Sequence, residues 1–214
     1  MSRVGISHDS SVIIYDTLTN RLSTRMFWTL RYYRHNDIRI LDGGMQAWKR
    51  AGFDLVSDIT EVAESEYKID QINHEYLADK EYIQSRLKND QFSLVDGRPE
   101  DQYTGKIPGK VFHSGTEHQR KGHIMGAHNV PWSLNFNEDG TFKSVQDLRF
   151  LYEIHGVTQD KSIVTYCNEG LHASPPWFVL TELLGYQNVR LYDASMAEWG
   201  NTQDTPIVQG KLCM

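Results

Sequence analysis

Ile163-Val164-Thr165-Tyr166-Cys167-Asn168-Glu169-Gly170-Leu171-His172-Ala173-Ser174-Pro175-Pro176-Trp177 is an apolar strand ending on a cysteine, then a short polar turn, then a helix that opens on two prolines. The first turn of a helix leaves backbone N–H groups without intrahelical partners, and the helix dipole adds partial positive charge there. A thiol seated over those donors is favoured as thiolate, so the sequence predicts for Cys167 a pKa below the free value of about 8.5. Proline suits a first helical turn and has no N–H to give. The donors facing the sulfur therefore come from Asn168 to Ser174. A cysteine at the end of a buried strand is more often a small core hydrophobe than a catalyst. Against that, Asn168, Glu169, Gly170 and His172 do not read as core filler, and the residue pattern favours a nucleophile.

A second copy of the unit supports that choice. Slid against itself by 151 positions, the chain sets Val12-Ile13-Ile14-Tyr15-Asp16 on Ile163-Val164-Thr165-Tyr166-Cys167. Without a gap, Ser11, Tyr15, Ser23, Phe27, Arg39, Asp42, Met45 and Trp48 meet Ser162, Tyr166, Ser174, Phe178, Arg190, Asp193, Met196 and Trp199. Internal repetition fixes architecture before single residues do. The first copy carries Asp16 at the cysteine position, so the second is the expected catalytic copy and the first a packing partner.

The chain has 214 residues, 39% of them hydrophobic and 11% aromatic, which is enough for α/β cores rather than a disordered tail. The formal charge of −6, with scattered Lys and Arg, gives no track for nucleic acid. No apolar run reaches the roughly 20 residues that span a bilayer. Met1-Ser2-Arg3-Val4-Gly5 opens into polar sequence, so no signal peptide is expected; the compartment stays open. Two cysteines, one of them next to the C-terminal residue, exclude a disulfide framework.

Read for organisation, residues 1–52 form a partial first unit. In it, Ser11–Tyr15 and Ile38–Leu41 are expected as short buried strands, with a helix near Ser23–Tyr33 between them and another over Met45–Arg50. Residues 53–73 are acidic and irregular, an expected linker. Residues 74–214 form a second unit. It should open with a helix near Asp79–Lys88 and the strand Phe92–Asp96, and continue in a long polar excursion from Gly97 to Lys121. Loops that long inside compact domains are usually functional. Ser144 and Asp147 cap a helix predicted to bury Val145, Leu148, Leu151 and Ile154. The Cys167 strand, its helix, the strand Val189–Tyr192 and a short helix bearing Trp199 close the unit. Such alternation predicts a mostly parallel sheet with helices on both faces.

Four stretches carry a family resemblance: Leu94-Val95-Asp96-Gly97-Arg98, Gly122-His123-Ile124-Met125-Gly126-Ala127-His128-Asn129-Val130-Pro131, the Cys167 loop, and Tyr192-Asp193-Ala194-Ser195-Met196-Ala197-Glu198-Trp199-Gly200. The second unit resembles a rhodanese domain, and the chain resembles a tandem-domain sulfurtransferase of the thiosulfate or 3-mercaptopyruvate type. Met125 replaces the family's usual proline. Tandem members commonly carry Asp at the first domain's cysteine position, as Asp16 does here. The first unit, however, has no counterpart to residues 79–151, and it is expected to lean on the second unit or on another copy of the chain.

The resemblance implies that Cys167 takes a sulfane sulfur from a small anionic donor and passes it, as a persulfide, to a thiol or cyanide. The backbone N–H groups of Asn168, Glu169, Gly170, Leu171, His172 and Ala173 would hold the terminal sulfur. It implies no cofactor and no metal. Asn168 matches neither the Arg usual in thiosulfate users nor the Gly usual in mercaptopyruvate users, and Glu169 adds negative charge; thiosulfate is the favoured donor. Arg98 falls on an arginine that helps hold the substrate carboxylate in mercaptopyruvate-type members. A bridge to surface carboxylates such as Glu100 or Asp101 is its alternative. Lys110, Arg120 and Lys121 could supply positive potential from the long loop, but each is expected to be solvated. His113, His118, His123 and His128 recur every five residues, which is not a helical ligand spacing, and His123 belongs to the family motif as a structural residue. His172 reads equally as a proton donor or thiolate partner and as a rim residue that shapes the pocket. Two rivals remain: a non-catalytic binding or regulatory module, and a phosphatase or arsenate reductase on the same fold. The latter would want an arginine where His172, Ala173 and Ser174 stand.

Overall fold

The computed structural model describes residues 1–17, 19–112 and 114–211; His113 and Cys213 lie outside them. Two compact units result, one of Met1–His74 with Phe136–Phe142, the other of Glu75–Asn135 with Lys143–Met214.

In the first unit, β1 (Val12–Ile14) and β2 (Ile38–Ile40) pair in parallel, with α1 (Arg21–Tyr32) between them and α2 (Gly44–Arg50) after them. A parallel pair needs such a crossover, because its strands run the same way. The helix α1 buries Phe27, Trp28 and Leu30. The strands are less covered than expected: Ile13 and Tyr15 are exposed, since a sheet of two strands has little to close over them. Residues 53–73 form no regular element. They are tied back to this unit by hydrogen bonds from the Ser65 N–H to the Ser2 carbonyl and from the Asn73 N–H to the Tyr32 carbonyl.

In the second unit, β3 (Leu77–Ala78) leads into α3 (Lys80–Gln84), which is capped by the Asp79 carboxylate accepting from the Tyr82 N–H at 2.7 Å. This helix is shorter than the sequence predicts, ending before Lys88. Next come β4 (Phe92–Asp96), α4 (Glu100–Tyr103), β5 (His123–Ile124), β6 (Ala127–Asn129) and α5 (Val145–Glu153). The unit finishes with β7 (Ser162–Tyr166), α6 (Ser174–Phe178), β8 (Val189–Tyr192), α7 (Ser195–Trp199) and β9 (Ile207–Val208). The main sheet is wholly parallel in the order β3-β8-β7-β4-β6, while β5 and β9 pair antiparallel apart from it. The central strands β4 and β7 are buried from Ser93 to Asp96 and from Ile163 to Tyr166, as strands covered on both faces must be. Trp177 and Trp199 are fully buried, and their indole N–H groups donate to the Val189 and Pro206 carbonyls. Among the described residues, no helix is long and apolar enough to cross a membrane.

The register of the two units coincides. Val12 faces Ile38 and Ile163 faces Val189, each pair displaced by the same 151 positions. The Met45 N–H donates to the Asp16 carbonyl at 2.9 Å, and the Met196 N–H donates to the Cys167 carbonyl at 3.1 Å.

One helix face departs from its expectation. Val145 on α5 and Ile154 at its C-terminal cap are exposed, and the buried pair is Leu148 with Tyr152. The Tyr152 hydroxyl donates to Asn135 Oδ1 at 2.7 Å, which lets an aromatic with a polar tip take the core position. Leu148→Ala should therefore cost about 2–5 kcal/mol in urea unfolding, whereas Val145→Ser should stay within about 0.5 kcal/mol of the parent. Equal costs would place the buried stripe where the sequence pattern put it.

Candidate active site

Cys167 follows the last residue of β7, where the chain leaves the sheet and turns into α6. The thiol is 1% exposed. The N–H groups of Glu169, His172 and Ala173 face it and pull its pKa down, but burial pushes harder and the net direction is upward. This corrects the expectation of a depressed pKa. The amides are where the sequence put them; the depth of the strand end was not visible in it. Folding thus favours the neutral thiol. The stability this site contributes is complete below the ordinary thiol pKa and is lost as pH rises toward the raised one.

The first unit shows what such a loop does when an anion occupies it. The Asp16 carboxylate accepts from the N–H groups of Asn20, Leu22 and Ser23 at 3.1, 3.0 and 3.2 Å. A built-in carboxylate fills the place that Cys167 holds in the second unit.

Ser195, which the sequence reading passed over, positions the Cys167 loop. Its Oγ accepts from the Cys167 N–H at 3.1 Å and the Gly170 N–H at 3.3 Å, and donates to the Tyr192 carbonyl at 2.7 Å. Those two amides are thereby turned from the sulfur, leaving Glu169, His172 and Ala173 to face it. Ser195 has φ 50°, a left-handed conformation costly for a residue with a Cβ. Its counterpart 151 positions earlier is Gly44, at φ 53°. That mismatch, a serine where the other copy has glycine, was the available signal.

Arg98 lies beneath the loop rather than in the cavity. It is 1% exposed, and its Nε donates to both Asp96 oxygens at 2.9 and 3.1 Å, its Nη2 to Asp96 at 2.5 Å and to the Gly122 carbonyl at 2.9 Å. Burial alone would lower the guanidinium's pKa, but Asp96 beside it holds it above its usual value. The structure thus departs from the expected substrate clamp: the fork is engaged with a carboxylate two residues away. Gly97 between them passes so close to the Cys167 loop that a Cβ there would run into the His172 carbonyl oxygen.

A cavity of about 520 Å³ opens above the sulfur. Cys167, Asn168, Glu169, Leu171 and His172 form one side, and Ile107, Pro108, Lys110, Val111 and Phe112 from the long excursion form the other. Of the loop residues singled out in the sequence, Gly170 and Ala173 are buried behind this lining. Asn168 is held at both ends of its amide, donating to Gln102 Oε1 at 2.9 Å and meeting His118 Nε2 at 3.0 Å through Oδ1. Because Oδ1 accepts, His118 carries its proton on Nε2; burial lowers its pKa and keeps it neutral. Glu169 Oε1 accepts from the Phe112 N–H at 2.7 Å, tying the two sides together. His172 stacks on Trp132 with ring centroids 5.3 Å apart. Lys110 pairs with Glu117 at 3.2 Å, and Arg120 is spent on backbone carbonyls of Trp199 and Thr205, both at 2.7 Å. Among the described histidines, His123 Nδ1 meets the Tyr103 carbonyl at 2.8 Å and stacks on that tyrosine, away from the cavity.

The model of the rhodanese-like domain matches residues 2–51 and 79–202. A sulfur carrier protein of Thermus thermophilus is 37% identical over 214 residues, 99% of this chain and 75% of its own length. A protein of Saccharopolyspora erythraea, provisionally named thiosulfate sulfurtransferase, is 37% identical over 97% of this chain and 73% of its own. In three dimensions, the anaerobic ergothioneine biosynthesis enzyme of Chlorobium limicola, solved with trimethyl histidine, superposes with a TM-score of 0.85 at 22% identity. The match covers 98% of this chain and 53% of that one, so the chain spans about half of that enzyme, and the likeness concerns the fold.

Two measurements check this geometry. Iodoacetamide labelling of Cys167 should keep accelerating through the pH range where a free thiol levels off; a plateau at lower pH would mean that the amides outweigh burial. Ser195→Gly relieves about 1–3 kcal/mol of left-handed strain but strips two buried N–H groups of their acceptor, at about 1–3 kcal/mol each, so the net change is a modest destabilisation. Its melting temperature should fall by a few degrees while labelling of Cys167 by an anionic reagent slows about tenfold, roughly 1.4 kcal/mol of barrier. An unchanged rate would remove Ser195 from the site.

Proposed function

The chain belongs to the rhodanese-like family, and from that premise we propose that it is a sulfurtransferase working through a persulfide on Cys167, with thiosulfate as donor and a thiol or cyanide as acceptor. The observation that carries this reading is the set of three amides facing a buried sulfur at the floor of an open cavity.

Cys167 attacks the outer sulfur of thiosulfate. The new bond joins its Sγ to that sulfur, the sulfur–sulfur bond of the donor breaks, and the electron pair leaves with sulfite. The thiol proton departs on sulfite as hydrogen sulfite, and the enzyme keeps a persulfide anion. Burial penalises negative charge on the sulfur, while the N–H groups of Glu169, His172 and Ala173 offset the penalty as charge appears. In the second half-reaction the persulfide anion first takes up a proton from water, and an acceptor then attacks its outer sulfur. The bond to Sγ breaks, and Cys167 recovers its electron pair. The two halves form a double displacement with ping-pong kinetics.

The relatives' names, a sulfur carrier and a thiosulfate sulfurtransferase, both suit a cysteine that holds sulfur between two partners. A phosphatase is less well served, since no arginine lines the cavity among the described residues. Incubation with thiosulfate should add one sulfur to the intact mass, reversed by cyanide with release of thiocyanate. Cys167→Ser should neither gain the sulfur nor turn over, while unfolding near the parent's midpoint. Substantial turnover by that variant would end this mechanism.

A further inference from the structure

The cavity above Cys167 is built for more than a small dianion. Its volume of about 520 Å³ lies within the roughly 300–1,000 Å³ of sites that enclose drug-sized organic ligands, whereas thiosulfate is little larger than sulfate. Its outer wall is apolar. Ile107 is 44% exposed and Phe112 67% exposed, and both line the cavity with Pro108 and Val111. Large apolar side chains left open beside a nucleophile lose hydration cost only when an apolar body covers them.

Beyond the loop amides, the charges do not favour an anion. Among the described lining residues Lys110 is the sole Lys or Arg, and it is paired with Glu117. The other carboxylate of the lining is Glu169. Arg98, the remaining cation near the sulfur, is closed off by Asp96. A dianion has to rely on the loop amides alone, and a carboxylate placed farther out meets two glutamates.

We infer that this cavity selects as sulfur acceptor an organic thiol with an apolar body and no negative charge, seated against Ile107 and Phe112 with its sulfur toward Cys167. This inference rests on the persulfide reading above and concerns its second half-reaction. The acceptor thiolate attacks the outer sulfur of the Cys167 persulfide, a new sulfur–sulfur bond forms, the bond to Sγ breaks, and the acceptor leaves as an organic persulfide retaining the sulfane proton. No oxidant or reductant is needed. Glu169 enters by holding the Phe112 backbone, so that the apolar wall stays in register with the loop that carries the sulfur.

The test has a kinetic arm and a binding arm. In the first, protein loaded by thiosulfate and verified by intact mass is discharged in single turnovers by phenylmethanethiol, 2-mercaptoethanol and 3-mercaptopropionate, with rates expressed per thiolate. Phenylmethanethiol should be at least tenfold faster than 3-mercaptopropionate, and faster than 2-mercaptoethanol. Phe112→Ser and Ile107→Ser should slow phenylmethanethiol about tenfold more than they slow cyanide. The second arm needs no persulfide: benzyl alcohol should protect Cys167 from iodoacetamide at concentrations at least tenfold below those needed of propionate. Failure of loading with protection intact would sink the persulfide reading and leave the binding preference standing. Equal discharge by all three thiols, a preference for 3-mercaptopropionate, or protection by propionate as good as by benzyl alcohol would overturn the inference.

Discussion

A fixed ring of backbone amides at the end of a parallel strand demands an electron-rich atom at its centre. Buried N–H groups are almost always satisfied in folded proteins, and an orphan costs free energy comparable to a lost hydrogen bond. The first unit meets the demand with the Asp16 carboxylate, which takes three of these donors. The second unit supplies only a thiol, a weak acceptor. Its amides from Glu169, His172 and Ala173 are therefore underused until the sulfur becomes an anion. The same backbone motif is thus saturated and inert in one copy and poised in the other, and a single side chain separates the two states.

Burial and the amides act on Cys167 in opposite directions, and the sign of the balance matters to the chemistry. A thiolate of lowered pKa is a weaker nucleophile than one of higher pKa, and on the proposed reading it would meet an anionic donor with a like charge. On that reading, a buried thiol that gives up its proton during attack would draw on the amides only as the new bond forms, which is where stabilisation accelerates a reaction. The supports of the loop serve this end from below. Ser195 removes the wrong amides from the sulfur, and the Arg98–Asp96 pair keeps the floor rigid while its charges largely cancel.

Much of this was legible in the sequence because it is written in local pattern. The strand before Cys167, the prolines of α6, the Ser144 cap and the offset of 151 positions depend on neighbours along the chain, and they fold as neighbours dictate. What the sequence concealed depends on direction and depth. Arg98 could be read as a cation but not as one turned inward to a carboxylate two residues back. On α5, four aliphatic residues made a plausible stripe, yet Tyr152 buries its ring because Asn135 can receive its hydroxyl, a pairing set by the fold. Ser195 needed its φ of 50° before it became more than another loop serine. Asn168, which fitted neither donor class, proves to be a strut between Gln102 and His118.

The polar excursion after β4 then acquires a physical meaning that its composition hid. Read as a string it holds too few apolar residues for a core, and among its described residues only Tyr103 joins the core cluster. Its Ile107, Pro108, Val111 and Phe112 are instead gathered on one side of a cavity whose other side carries Cys167. The hydrogen bond from the Phe112 N–H to Glu169 joins that wall to the residue two positions after Cys167. A shift of the wall therefore pulls on the loop whose amides face the sulfur, and a shift of the loop moves the wall. On the proposed reading, recognition and sulfur chemistry would share one mechanical element, and substitutions that alter fit at Phe112 would carry a kinetic effect at Cys167 even where they touch no reacting atom.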